Sequence, residues 1–439
     1  MRDNAKPDRE LKAHARTKMI HGAFRSQHWE YSHHVVPPIT SSATFRLDSV
    51  ERGAHGFQEF AHEPGSSDTP IYIYDRLDEP TRGMLEENLA QAEGGDVALC
   101  FASGMAAISA AVCTLVGAGD HVVTHDVLYG CTYSLFSSGL PRFGINFSFV
   151  DLTDVSKLRD AVRPQTRLIY FETPVNPDLT LIDIQAVHDV IAEFNRNRGD
   201  DDRIRIVVDN TFATPFCQRP LEYGADVVCH SLTKGIGGFG TDVGGAVIAP
   251  QELQNKLLMY RKDFGGVLSP KAAWATLVYG LPSLGARMSN YQKTAMHVAK
   301  FLERHDRVER VFYPGLPSFP RSELAHRQMR DTKGRFCPGS MIYFVLKDSQ
   351  GSHQHTDRFV DYIAHNGYAI SLAVSLGQVK TLIECPYSMT HATLPAEEKQ
   401  RRGILPGGIR LSCGLEDWED IVGDLQEALA QSYPAILTT

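Results

Sequence analysis

Six short apolar runs separated by helical patterns fill the middle of the chain, and that alternation constrains the fold more than any other feature. The runs are HVVTHD (121–126), INFSFVD (145–151), RLIYFE (167–172), RIRIVVDN (203–210), DVVCHS (226–231) and GGAVIAP (244–250). Between them, SKLRDAV (156–162) and DIQAVHDVIAEFNRN (183–197) repeat apolar residues at helical spacing. A strand that is apolar at nearly every position has no face to give to water, so it belongs in a sheet covered on both sides. The alternation supplies those covers and predicts an α/β fold with a mainly parallel sheet.

The texture changes after about residue 282. A long helical pattern (283–305) leads through VERVFYPG to SMIYFVL (340–346), GGIRLSCGLED (407–417) and the amphipathic stretch DWEDIVGDLQEALAQS (417–432). Residues 1–74, with His33, His34 and the Pro37-Pro38 turn, read as an irregular arm. The expected organisation is an arm (1–74), a large domain (75–282) and a smaller C-terminal α+β domain (283–439).

Composition narrows the class. With 43% hydrophobic residues the chain is neither disordered nor collagen-like, and a net charge of −8 leaves no footprint for nucleic acid. Eight cysteines without a C-x-x-C pair argue against a zinc ribbon or a disulfide scaffold, and no metal site is expected. The charged start lacks the apolar core of a secretory signal, so a cytoplasmic location is expected. The uncharged stretch Ala98 to Gly119 is long enough to span a bilayer. Its Ser103, Gly104, Ser109, Thr114 and Gly117 instead suit a strand end followed by a fully buried helix, so no membrane contact is expected.

Two strand ends carry candidate chemistry. DVVCHS runs into Leu232-Thr233-Lys234 and a glycine-rich stretch. A lysine with hydroxyl neighbours (Ser231, Thr233) and flexible backbone after it suits an amine that captures an aldehyde beside a phosphate. Asp209 closes the apolar run before it, also at the carboxyl edge, where open α/β sheets bind ligands. A buried carboxylate needs a cationic partner, and the ring nitrogen of pyridoxal phosphate would be one. In FASGMAAIS (101–109) small residues open a helix, presenting free N–H groups at Gly104 and Met105, after Ser103, to a phosphate. Tyr129, in LYGCTYSLF, could lie on an aromatic cofactor. Gly235, Gly237 and Gly240 match the spacing of a dinucleotide-binding loop, but they precede another strand rather than open a helix, which argues against that use.

With these residues collected, the chain resembles the Cys/Met-metabolism family of pyridoxal-phosphate enzymes. FASGMAAI, LYGCTY, ETPVNP (172–177), VVDNTFATP, HSLTK and GIRLSCGLED carry the resemblance over nearly the whole chain. It implies the type I pyridoxal-phosphate (aspartate-aminotransferase-like) fold. It further implies that Lys234 binds the cofactor and shuttles protons, that Asp209 holds the ring nitrogen, and that Ser103, Gly104, Met105, Ser231 and Thr233 hold the phosphate. Tyr129 would stack on the ring and serve the leaving group. Arg410, with Ser375 and Asn176, would hold the substrate carboxylate. Tyr74 and Arg76 match a pair that the family donates to a neighbouring subunit's phosphate, implying a homotetramer built as a dimer of dimers.

Cys131 and Val374 resemble methionine γ-lyases within the family, with Lys262-Asp263 as an accompanying polar pair. They imply γ-elimination on L-methionine or a related sulfur amino acid. The alternatives are γ-replacement on an O-acylhomoserine and cystathionine γ-lysis; a non-catalytic scaffold would be expected to have lost Lys234, Asp209 or Arg410. Three departures stand out. Asp75 and Glu79 replace the family's usual Ser and Asn in YDRLDEPT, the loop at 56–70 is long, and GIGGFG follows Lys234. An aspartate beside a phosphate site is awkward unless its side chain points away.

Overall fold

The computed structural model describes residues 13–22, 35–60, 71–347, 353–390, 392, 396–401 and 403–432. His33, His34 and most of the 56–70 loop lie outside these residues.

The six apolar runs and one earlier strand form a seven-stranded sheet in the order β1-β7-β6-β5-β4-β2-β3. Its strands are β1 (Val97–Phe101), β2 (His121–His125), β3 (Asn146–Val150), β4 (Thr166–Glu172), β5 (Arg205–Asp209), β6 (Val227–Ser231) and β7 (Gly245–Ala249). All neighbours are parallel except β7, which runs antiparallel to β1 and β6. The near-continuous apolarity has its cause in two covers. Ile206 and Val208 of β5 face the core under the helix Ile184–Asn195. Val207, between them, faces the core shared with the helix Gly104–Leu115. Each such fully buried aliphatic side chain contributes about 1.5–3 kcal/mol.

A second, five-stranded sheet has the order β10-β11-β12-β9-β8. It comprises β8 (Val308–Phe312), β9 (Met341–Leu346), β10 (Ile370–Leu372), β11 (Thr381–Glu384) and β12 (Gly408–Ser412), antiparallel except for β10 with β11. The helix Leu281–Arg304 joins the two sheets. Its apolar residues recur every three or four positions, and the stripe serves two cores in turn. Leu281, Leu284, Met288 and Tyr291 pack under the large sheet, whereas Ala295, Val298, Ala299 and Leu302 pack under the small one.

The uncharged stretch divides as β1 and the helix Gly104–Leu115, and no described helix is long and apolar enough to cross a membrane. One expectation needs correcting. That helix is not fully buried: Ala107, Ile108 and Ala110–Val112 are, but Gly104 and Met105 are half-buried where the first turn opens onto a cavity, and Ala106, Ser109 and Cys113–Leu115 are half-buried as well.

The departures in YDRLDEPT have a local explanation. Glu79 is the N-cap of the helix Pro80–Glu93, its carboxyl accepting the Thr81 N–H at 2.9 Å and the Arg82 N–H at 2.5 Å. The Asp75 side chain turns to the fully buried Arg82, whose Nη1 lies 2.8 Å from its Oδ1.

Candidate active site

The carboxyl ends of β4, β5 and β6 open into a cavity of about 280 Å³, closed on one side by a loop from the small sheet. Strand ends deliver three groups: Glu172 closes β4, Asp209 is its direct neighbour on β5, and Ser231 closes β6 three residues before Lys234. The turn after β1 brings Ser103, Gly104 and Met105; the segment after β2 brings Tyr129; the small sheet brings Val374, Ser375 and Arg410.

Lys234 points across the cavity. Its Nζ donates to Ser375 Oγ at 2.6 Å. Burial, helped by the nearby Arg410 charge, pulls the amine down from its ordinary value to about 8, with Glu384 opposing. Ser375 is held at φ 94°, a left-handed backbone that a non-glycine residue rarely takes, and this orients its hydroxyl toward the lysine loop. Asp209 accepts the Thr211 N–H at 2.9 Å. Burial raises its carboxyl above the usual range, opposed by Thr211, His230 and Tyr170, so a cation placed beside it would be strongly favoured.

The first turn of the helix Gly104–Leu115 faces the same space. Ser103 caps the helix by accepting the Ala106 N–H at 3.1 Å, while the first-turn N–H groups of Gly104 and Met105 have no intrahelical acceptor. A side chain at Gly104 would put its Cβ 2.8 Å from that of Ser231, so glycine is what lets the helix end approach β6. The Thr233 hydroxyl is already engaged, accepting from Gly244 N–H at 3.0 Å.

Arg410 is buried, and its guanidinium is held at three points. Nη1 donates to Asn176 Oδ1 at 2.9 Å; Nη2 donates to Ser375 O at 3.0 Å and pairs with Glu384 Oε1 at 3.0 Å. Tyr129 is 40% exposed at the mouth, and its main-chain N–H donates to the Glu172 carboxyl. Partial burial and a hydrogen bond with the Cys131 thiol push the Tyr129 hydroxyl up to about 12, so it keeps its proton. Burial and the adjacent Asp209 hold Glu172 well above the usual carboxyl range.

Most of the expected site residues meet here. Cys131 touches Tyr129 but does not line the cavity. Tyr74 and Arg76 also lie outside its lining; the Arg76 guanidinium sits 5.4 Å from the Tyr74 ring centroid and donates to Lys262 O. Lys262 and Asp263 pair with each other at 3.3 Å. The glycines after Lys234 form a turn rather than a helix start. Gly238 has φ +75°, and a Cβ there would meet the Arg287 guanidinium, which holds the turn through Gly235 O (2.7 Å) and Ile236 O (3.0 Å). Two carboxyls escaped the sequence reading, Glu172 and Glu384. Each closes an apolar strand, the same signal that marked Asp209.

Chemically, the cavity offers an amine, a buried acid, a helix N-terminus and an aromatic ring within one space. Those donors match a cofactor bearing an aldehyde, a protonatable ring nitrogen and a phosphate. The orphan N–H groups at Gly104 and Met105 and the partner-seeking Asp209 carboxyl are the observations that make pyridoxal phosphate fit.

Comparisons with known proteins agree. Residues 16–430 match the family described as Cys/Met metabolism PLP-dependent enzyme. The L-methionine gamma-lyase of Pseudomonas putida is 40% identical over 418 residues, covering 95% of this chain and 97% of that protein. The enzyme of the same name from Fusobacterium nucleatum subsp. polymorphum is 41% identical over 89% of this chain and 92% of its own length. A cystathionine gamma-lyase from Dictyostelium discoideum is also 41% identical, over 90% of this chain and 92% of its own. Among solved structures, cystathionine gamma-lyase from Lactobacillus plantarum complexed with L-serine superposes with a TM-score of 0.82 at 31% identity, covering 95% of this chain and 99% of that one.

Proposed function

The chain belongs to the Cys/Met-metabolism pyridoxal-phosphate enzymes, and from that premise we propose that it is a carbon–sulfur lyase performing γ-elimination on L-methionine or a close relative. The products would be 2-oxobutanoate, ammonia and a thiol. The observation that carries this reading is the convergence of Lys234, Asp209, Tyr129 and Arg410 on one cavity beside Val374. Val374 is 57% exposed and apolar, so the mouth suits a methyl thioether better than a charged tail.

Bound pyridoxal phosphate supplies an electron-accepting ring that stabilises negative charge developing at the substrate Cα. The chain's own residues do the rest. Asp209 would hold the proton on the ring nitrogen, and the N–H groups at Gly104 and Met105, with Ser231 and the Ser103 turn, would hold the phosphate, joined by Thr233 once its hydroxyl gives up Gly244 O. Arg410, braced by Asn176 and Ser375, orients the substrate carboxylate. Lys234, with its amine pulled toward neutrality, accepts the Cα proton and then moves a Cβ proton. Tyr129, still protonated at neutral pH, gives its proton to the departing sulfur.

Tyr74 and Arg76 would act across a subunit boundary, completing a neighbour's phosphate site in a homotetramer of two dimers. Their place outside the cavity of their own chain supports this. The arm would then be residues 1–74, with a cofactor domain at 75–282 and a small domain at 283–439. A cytoplasmic location suits an enzyme of amino-acid metabolism. Cystathionine γ-lysis is the second reading, favoured by relatives of that name at similar identity. Purified protein supplied with pyridoxal phosphate should release 2-oxobutanoate from methionine; turnover of cystathionine alone would select the second reading.

A further inference from the structure

Arg410 is already paired before a substrate arrives. Glu384 stands directly opposite it on the neighbouring strand, and Glu384 Oε1 lies 3.0 Å from Arg410 Nη2. Glu384 is 1% exposed, so it is confined within a paired strand and cannot swing out to water. The Thr390 hydroxyl adds a long hydrogen bond to Oε1 at 3.4 Å. Its second oxygen, Oε2, is buried without a hydrogen-bond partner among the described residues. Burial pushes this carboxyl up, and the Arg410 guanidinium is the largest influence holding it down, ahead of the Thr390 hydroxyl and the Lys234 amine.

That dependence has a consequence when a second carboxylate comes to the same guanidinium. Two anions would then share one cation in a water-poor cleft, and a buried acid that loses its partner neutralises rather than remain charged. Resting on the reading of Arg410 as the substrate-carboxylate clamp, we propose that Glu384 is the resting counter-ion of that arginine and takes up one proton as the substrate carboxylate binds. The proton comes from solvent; Arg410 keeps its charge and transfers its pairing from Glu384 to the ligand. The other groups facing this pair are Lys234, Thr390, Tyr129 and Glu172. Beyond β11, Asp357 and Asp361 of the helix Gln354–Asn366 act on Cys385 next to Glu384. Burial and Asp209 push Glu172 up, and its hydrogen bond goes to the Tyr129 main chain rather than to Arg410, so Glu384 is the carboxyl whose partner changes on binding. Substrate affinity therefore falls as pH rises, by up to about tenfold per pH unit for full uptake of one proton.

The test uses the holoenzyme and 4-(methylsulfanyl)butanoate, which keeps methionine's carboxylate and thioether but has no amine to react. Calorimetric titration near neutral pH in two buffers of different ionisation heat counts the protons exchanged. Wild type should take up about one proton per ligand bound. Glu384→Gln should take up close to none and should bind with a flat pH dependence. No uptake by wild type, equal uptake by the variant, or no binding by an enzyme that turns methionine over would each overturn the proposal. The wild-type count needs no variant, so it stands even if Glu384→Gln folds poorly. Failure of the functional reading shows up separately, as absence of 2-oxobutanoate release.

Discussion

Lys234 of the large-sheet loop and Ser375 of the small-sheet loop are joined by a 2.6 Å hydrogen bond, with the lysine as donor. The Lys234 amine is therefore aimed by a residue from the other half of the molecule. Ser375→Ala removes the acceptor yet leaves the backbone at its unfavourable φ. A hydrogen bond to a charged donor is worth about 1.5–3 kcal/mol, so kcat on methionine should fall by roughly 10- to 100-fold. Ser375→Gly should show the same loss of rate but melt no lower than the alanine variant, since glycine accepts that backbone freely. Steady-state kinetics with thermal melts separate the two effects.

The depressed Lys234 amine sets the pH at which cofactor-free enzyme recaptures its cofactor. Only the neutral amine attacks an aldehyde, so the uptake rate should rise through about pH 8 and then level off. An ordinary lysine would still be gaining rate near pH 10. The stability sign follows. Folding lowers this pKa, so the charged form opposes folding at low pH, and the cofactor-free protein should gain stability as pH rises from about 8 toward the unfolded value of 10.5. Stopped-flow absorbance after mixing with pyridoxal phosphate checks the rate, and melting curves check the stability.

Tyr129 keeps its phenolic proton up to about pH 12, which suits the proposed role of an acid at the leaving group. Tyr129→Phe should slow methionine turnover by about 10²–10⁴-fold. A substrate whose leaving group departs as a stable anion, such as O-acetylhomoserine, should lose much less. An equal loss on both substrates would assign Tyr129 to cofactor stacking alone.

Glu79 caps its helix as a buried carboxyl, and burial raises it from its ordinary 4.5 to about 7. A folded value above the unfolded one means stability that is present at low pH and lost as pH rises between those limits. Glu79→Gln keeps the acceptor for the two N–H groups but carries no charge. The variant should match wild type near pH 4.5 and melt higher at pH 8. Glu79→Ala loses the cap and should be less stable by about 1 kcal/mol. Asp75→Ala should cost about as much, roughly 1 kcal/mol, because it removes one carboxylate from the buried Arg82 guanidinium while Leu268 O and the charges of Glu86 and Asp78 remain.

Much of this site could be read from residue order alone because Asp209 and Ser231 each close an apolar strand, and parallel strands that end together place their ends together. Lys234 was legible for the same reason. Arg410 came from a motif rather than from physics: its strand belongs to the second sheet, and no local pattern tells that β12 will bring it to the same cavity as Asp209. Glu384 carries the same strand-end signal as Asp209, but its partner does not show in the sequence: the register that sets it opposite Arg410 exists only in the folded sheet. Asp75 looked out of place beside a phosphate until its partner, Arg82, was seen seven positions along and buried. The exposed first turn of the helix Gly104–Leu115 was likewise hidden, since an uncharged sequence reads the same whether it faces a core or a cavity.

The helix Leu281–Arg304 works as an angular gauge between the two sheets. Its first half is keyed to one core and its second half to the other, so the rotation between Tyr291 and Ala295 fixes how the small sheet is turned toward the large one. Adding or deleting one residue near Gln292 would turn the second half by about 100°. Val298 and Leu302 would then leave their core, and Ser375 and Arg410 would be carried away from Lys234. Length in this segment should therefore be far less tolerant of change than composition: swaps among Leu, Met and Ile on the stripe are mild, while a single inserted alanine dismantles a cavity to which the helix contributes no lining residue.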